Sequence, residues 1–169
     1  MDYLQHKVDN LKIIVFDLDY TLWPFWVDTH VTPPFRHRNG KVVDNSGQVV
    51  KHYPYVTEVL EKLSSLGYTL GIASRTTATD EAEQLIELFD WNKLIKYKEI
   101  FPGCKINHFN NIHTDSGIPF SQMLFFDDES RNIRDLMSKG VVSILVNKGI
   151  DKNVVINGIQ TFVNQNQSS

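Results

Sequence analysis

The chain has 169 residues, 41% of them hydrophobic and 22% charged, which suits one domain with its own core and excludes a disordered or fibrous protein. A formal net charge of −3 excludes a nucleic-acid binder that works through bulk positive charge. The lone Cys104 excludes an internal disulfide and fits a reducing, cytoplasmic setting, with the nucleus left open.

The opening segment, Met1 to Asn10, is polar and charged. Lys12 to Phe16 is a short β-branched run of the kind that forms a buried strand. It is cut off by Asp17 and Asp19, so it is too short for a signal-peptide core or a membrane span. Residues 24–53 break the pattern with Pro24, Pro33 and Pro34, followed by Lys41–Asp44 and Gln48–Lys51 around Asn45-Ser46-Gly47. This reads as a β-hairpin flap inserted after the first strand, over the sheet edge.

Val56, Val59, Leu60, Leu63 and Leu66 recur at helical spacing, with Pro54 near the start and Gly67 past the end. Thr69–Ala73 is a second strand. Ala78, Ala82, Leu85, Ile86 and Phe89 mark a second helix, for which Thr77 and Asp80 predict a capping box. Tyr97–Phe101 is a weaker third strand and Met123–Phe126 a fourth. A helix carrying Ile133, Leu136 and Met137 stops at Gly140. Val142–Val146 is a fifth strand, and Val155, Ile159, Phe162 and Val163 predict a terminal helix, with a frayed tail over Asn164–Ser169. Alternation of this kind predicts one α/β domain over 1–169, a mainly parallel sheet with helices on both faces.

In open α/β sheets ligands bind beyond the carboxyl ends of the strands. There the chain places Asp17, Asp19 and Thr21, then Ser74 and Arg75, then Lys105, then Asp127 and Asp128. Singly, each has a plain reading as a cap, a solvated charge or a surface residue; together, in order, they point to one chemistry. Converging carboxylates repel unless a hard cation such as Mg²⁺ joins them through oxygen. One carboxylate can attack phosphorus, and a second, two residues on, can pass a proton to the leaving oxygen. A serine hydroxyl and a lysine can hold phosphoryl oxygens.

The other reactive residues carry less. None of the six histidines, His6, His30, His37, His52, His108 and His113, has zinc-site spacing, and they read as surface or loop residues, with His30 and His37 in the flap. Cys104 lacks the glycine-rich loop and arginine of a cysteine phosphatase. Trp23, Phe25 and Trp26 form an aromatic cluster beside the first acidic loop, which can serve packing or recognition.

Asp17-Leu-Asp-Tyr-Thr-Leu22, Ser74, Lys105 and Asp127-Asp128 resemble, in order, the four motifs of the haloacid dehalogenase superfamily, over about Lys12 to Val146. Phe16 to Trp26, Ala73 to Thr76 and Phe125 to Asn132 are similar to its magnesium-dependent phosphatase branch, whose members lack a large cap. The resemblance implies a Mg²⁺-dependent phosphatase that works through an aspartyl-phosphate on Asp17. Asp19 would be the general acid/base and would bind metal through its backbone carbonyl. The Leu18 amide, Ser74, Arg75 and Lys105 would bind phosphate, and Trp26 would touch the substrate. Asp17 and Asp128 would ligate Mg²⁺, with Asp127 behind them. Where many members of the family carry a further acid, this chain has Asn132, and Glu129 is the candidate replacement.

The implied substrate is a phosphotyrosine-type compound, or a small sugar phosphate of the fructosamine-phosphate kind, with no nucleic acid or membrane partner; the short flap favours a monomer. A receiver-like phospho-aspartate switch would place its phosphoacceptor after the third strand, where this chain has no aspartate. A silent binding module would lack part of the set, and a dehalogenase has no need of Asp19 or of the Asp127-Asp128 pair.

Overall fold

A computed structural model of the chain describes residues 2–167. Strand β1 (Ile13–Phe16) is buried on both faces, as expected of a central parallel strand. It is followed by β2 (Arg36–Arg38), β3 (Lys41–Val43), α1 (Val56–Ser65), β4 (Thr69–Ser74), α2 (Thr79–Leu88), β5 (Ile95–Ile100), α3 (Lys105–Ser116), β6 (Met123–Asp127), α4 (Ser130–Met137), β7 (Val142–Leu145) and α5 (Lys152–Gln167). The main sheet is parallel, in the order β5-β4-β1-β6-β7. This is the predicted architecture. Counted over its own strands the order is 3-2-1-4-5, unlike the 2-1-3-4-5 order of receiver-type sheets. No helix among the described residues is long and apolar enough to cross a membrane.

Alternate β1 side chains feed two cores. Ile14 and Phe16 join the larger cluster with α1, α2 and α5, including Leu60, Ile86 and Ile159. Ile13 and Val15 face the other way, onto Phe109, Ile112, Ile133 and Leu136 of α3 and α4. The register sets Phe16 beside Ile72 of β4 and Phe126 of β6. The next residues out, Asp17 and Asp127, are therefore forced into adjacency at the carboxyl edge.

Several sequence expectations need correction. The Thr77–Asp80 capping box does not form: the cap residue of α2 is Ala78, with no side-chain bond, and Thr76 Oγ1 takes the Ala78 amide instead (3.1 Å). Helix α3 leaves no helical signal in the sequence, because its buried stripe is Lys105, His108, Phe109 and Ile112, half polar and so without apolar periodicity. Met137 is helical but exposed. The tail expected to fray stays helical to Gln167; residues 168–169 lie outside the described range.

In the flap, the hydrogen-bonded hairpin is β2 with β3, turned at Asn39 and Gly40, both at positive φ, as a type I′ turn needs. The expected pairing of 41–44 with 48–51 survives as a single bridge, Val43 to Val49, with Val50 N donating to Val42 O. Asp44 organises this limb. Its carboxylate accepts the amides of Thr32, Ser46 and Gln48 and the Ser46 hydroxyl. Burial pushes Asp44 up, but these donors outweigh it and hold the carboxyl below its usual range.

Helix α5 crosses β6 where Gly158 meets Phe126. A Cβ at Gly158 would lie 2.5 Å from Phe126 Cζ, and that ring is already stacked on Phe16. Gly158→Ala is expected to destabilise the protein, overpacking costs of about 1–3 kcal/mol exceeding the roughly 1 kcal/mol that alanine gains over glycine in a helix. Urea unfolding measures it; a midpoint equal to or above wild type would contradict the close packing.

Candidate active site

The carboxyl ends of β1, β4 and β6, with the first turn of α3, surround a cleft of about 280 Å³ lined by Asp17, Asp19, Trp26, Ser74, Arg75, Lys105 and Asp128, together with Asp28, Thr29, Thr76, Glu129 and Asn132. Seven of the nine expected residues line it. The other two lie behind its wall: the Leu18 side chain is fully buried in the core, and Asp127 is buried under Lys105.

Asp17 is held at both oxygens. Lys105 Nζ donates to Oδ1 (2.8 Å) and the Thr21 hydroxyl to Oδ2 (3.1 Å). Lys105 also donates to Asp127 Oδ2 (2.5 Å). Burial alone would lower the ammonium pKa, but Asp17 and Asp127 hold it above the ordinary lysine value, so Lys105 stays charged. Asp127 is raised by burial and by the Asp17 charge despite its lysine, because two carboxylates share one cation.

Every Asp127 oxygen has a partner. Oδ2 takes Lys105 and the Asn132 amide (3.0 Å), and Oδ1 takes the Glu129 amide (2.9 Å). Asn132, where the family pattern often has an acid, is thus a buried donor to Asp127; its own Oδ1 faces Arg75 Nη1 at 3.5 Å.

Carboxylate oxygens of Asp17, Asp127 and Asp128 lie within 4.8 Å of one another. This hard, anionic oxygen set fits a divalent cation such as Mg²⁺. Of the three, Asp17 and Asp128 line the cleft, whereas Asp127 lies behind its wall among Lys105, Asn132 and the Glu129 amide. Asp128 is pushed up to about 9 by burial first, then by a hydrogen bond to Asp17 and by the charges of Asp17, Asp127 and Glu129.

The Asp19 side chain turns away from that cluster. Its Oδ1 accepts Trp23 Nε1 (2.7 Å) and the Val27 amide (3.1 Å). Burial raises it to about 6, helped by the Asp17 and Asp28 charges and opposed by the two donors. Trp23 stacks on Phe25 and Trp91 and is fully buried, so a core residue aims the Asp19 carboxyl. Trp26, by contrast, is 50% exposed, stacked on the His30 ring (5.2 Å, 11°) and set edge-on to Tyr20.

Asp28 and Thr29 escaped sequence reading. They carry no motif, and the turn that closes Thr29 N and His30 N onto Trp26 O brings them to the cleft. His108, read as a surface or loop residue, is fully buried.

These shifts have a consequence for stability. Asp19 and Asp128 bind protons more tightly folded than unfolded. Their contribution is therefore present below the unfolded value of 3.8 and is lost as pH rises through about 6 for Asp19 and about 9 for Asp128. With chelator present, the unfolding midpoint is expected to fall steadily from pH 5 to pH 9. Saturating Mg²⁺ should raise it most at the alkaline end. A chelated midpoint that rises across this range would contradict the carboxylate cluster.

Three comparisons bear on the site. A family model described as Acid Phosphatase matches residues 10–165. Magnesium-dependent phosphatase 1 of Homo sapiens is 52% identical over 152 residues, 89% of this chain and 86% of that protein. A HAD-like hydrolase superfamily protein of Schizosaccharomyces pombe is 42% identical over 147 residues, 80% of this chain and 85% of that one. Among solved structures, a predicted phosphoglycolate phosphatase from Haemophilus somnus shares the fold at a TM-score of 0.63 and 18% identity, covering 91% of this chain and 92% of its own.

Proposed function

The chain belongs to the acid phosphatase family, in the magnesium-dependent phosphatase branch of the haloacid dehalogenase superfamily, and from that premise we propose that it hydrolyses aryl phosphate monoesters of the phosphotyrosine type through a phosphoryl group carried on Asp17. That it is a magnesium-dependent phosphoric monoester hydrolase follows from its family and its relatives. The route and the substrate are our reading.

The observation that carries the route is the separation of the two acids. Asp17 sits against Lys105 and the candidate metal carboxylates, while Asp19 is held off them by Trp23 and Val27 with its pKa near 6. An Asp17 oxygen attacks phosphorus, the ester P–O bond breaks, and the leaving oxygen takes the proton of Asp19. Asp19, now a carboxylate, takes a proton from the water that attacks phosphorus in turn; inorganic phosphate departs and Asp17 is regenerated. Lys105, Ser74, Arg75 and the Leu18 amide hold the phosphoryl oxygens throughout. A magnesium ion held by Asp17, Asp128 and the Asp19 carbonyl would supply positive charge against the phosphoryl oxygens, with Asp127 orienting that group from behind.

The aryl preference rests on Trp26. Its half-exposed indole is braced by His30 at the cleft rim, a stacking wall for a flat leaving group. A monomer in the cytosol is consistent with the short flap and the free thiol of Cys104.

Hydrolysis of p-nitrophenyl phosphate and of a sugar phosphate, with Mg²⁺ and with chelator, tests this reading. Chelation should silence both and Mg²⁺ restore them. Trp26→Ala should lower kcat/KM about tenfold on the aryl ester, the loss of about 1.4 kcal/mol of stacking, and leave the sugar phosphate nearly unchanged. Stability should move by less than about 0.5 kcal/mol, as for an exposed site. Equal loss on both substrates would remove the aryl preference assigned to Trp26, and full activity in chelator would remove the metal from the route.

A further inference from the structure

We propose that His108 is a positioning residue of the phosphate pocket, clamping the ends of β4 and β5 to the first turn of α3 so that Ser74 and Lys105 address the same phosphoryl group. The inference rests on the reading that Ser74 and Lys105 hold phosphate. His108 lies one turn after Lys105 on α3 and is fully buried. Its Nε2 is 2.8 Å from the Ser74 carbonyl and 2.7 Å from the Phe101 carbonyl, and Nδ1 faces the Cys104 carbonyl at 3.3 Å. All three neighbours are acceptors, so Nε2 carries a hydrogen and donates it between two strand ends.

The ring lies flat on Phe101 at 3.9 Å, which fixes its plane. The Ser74 carbonyl also accepts the Phe101 amide (3.1 Å), and Ser74 Oγ accepts the Thr76 amide (3.2 Å). The serine is therefore held at its backbone and its side chain, and its hydroxyl hydrogen is left to donate elsewhere. A hydrocarbon of the same volume would fill the space behind the cleft equally well. What it could not supply is the N–H that ties two carbonyls to the helix bearing Lys105.

Calorimetric titration of inorganic phosphate into the Mg²⁺-loaded protein tests this, with wild type, Ser74→Ala, His108→Gln, His108→Asn and His108→Leu, and with thermal unfolding on the same samples. The Gln amide nitrogen reaches the place of Nε2, whereas the shorter Asn amide does not. His108→Gln should keep the phosphate Kd within about threefold, while His108→Asn and His108→Leu weaken it about tenfold or more. KM for p-nitrophenyl phosphate should rise in parallel. A folded His108→Leu protein that binds phosphate as wild type does would overturn the proposal. So would equal Kd values for His108→Gln and His108→Asn, a comparison that stands even if the Leu variant fails to fold. If Ser74→Ala leaves Kd unchanged, the reading of the pocket fails with it; if Ser74→Ala weakens binding and the His108 variants do not, only the positioning role falls.

Discussion

Asp17→Asn is expected to reduce turnover by at least about 10⁴-fold, as removal of a nucleophile does elsewhere, while leaving the folded protein intact. An amide does not form the phosphoryl adduct, and no other carboxylate in the cleft holds the same place. Asp127 lies behind the cleft wall, engaged by Lys105, Asn132 and the Glu129 amide, and Asp19 is turned toward Trp23. The fold should tolerate the change. The Asn oxygen can still accept from Lys105, and Thr21, now a donor to Asp17 Oδ2, can turn to accept from the new amide.

The same substitution should raise stability in chelator. Asp17 contributes to the upward shifts of Asp19, Asp127 and Asp128, so its removal relieves repulsion that Lys105 alone does not offset. On the proposed route, Asp17 would trade stability for function. Wild type should be stabilised by Mg²⁺ more than Asp17→Asn is. Single-turnover kinetics and paired thermal melts decide the matter. Turnover within about tenfold of wild type would strip Asp17 of its role, and a sharp loss of stability would mean that its charge is needed by the fold.

Lys105→Met carries the largest expected effect on stability. The Lys105 side chain is 1% exposed and its ammonium is shared by Asp17 and Asp127, with the Phe125 ring beneath it at 5.4 Å. Methionine keeps most of the volume but removes the cation, leaving two buried carboxylates uncompensated at a cost of about 3–5 kcal/mol. Arginine should not rescue it fully, since its rigid planar fork does not reproduce a compact ammonium shared between two carboxylates. The pH dependence supplies a second check. Asp127 is already raised and would lose the charge that lowers it. The folded variant would then bind protons that the unfolded chain releases, so stability should recover as pH falls from 8 to 5. Urea midpoints at both ends of that range measure this. A loss below about 1 kcal/mol, or a variant that weakens further on acidification, would show that Lys105 is not the compensating charge.

The sheet and the acidic edge were readable from sequence because both are local signals. A buried central strand shows as four apolar residues in a row, as in Ile13–Phe16, and its end shows as an abrupt change to Asp17. Three strand ends carry Asp17 and Asp19, Ser74 and Arg75, and Asp127 and Asp128, Lys105 follows the third strand region, and parallel alternation with helices puts all of them on one edge. The Asn39-Gly40 turn was also legible in principle, since that pair is a strong hairpin signal. The strand that leads into it carries no such signal, because Arg36-His37-Arg38 is exposed and has no apolar alternation to mark it.

Other parts of the site depend on contacts between distant residues. Helix α3 hides because its inward stripe is filled by Lys105 and His108, whose burial makes sense only once Asp17, Asp127 and the carbonyls of Ser74 and Phe101 surround them. Asn132 reads as a missing acid until it is seen donating to Asp127. Trp23 reads as core, and it is core, yet its indole N–H aims Asp19. Sequence by itself therefore determined the fold class and the chemical types at the strand ends, because residue type and period follow from which positions are buried. Only the tertiary structure decided which carboxylates share the Lys105 ammonium, which one stands apart from them, and what holds them so, because those are properties of distances between residues far apart in the chain.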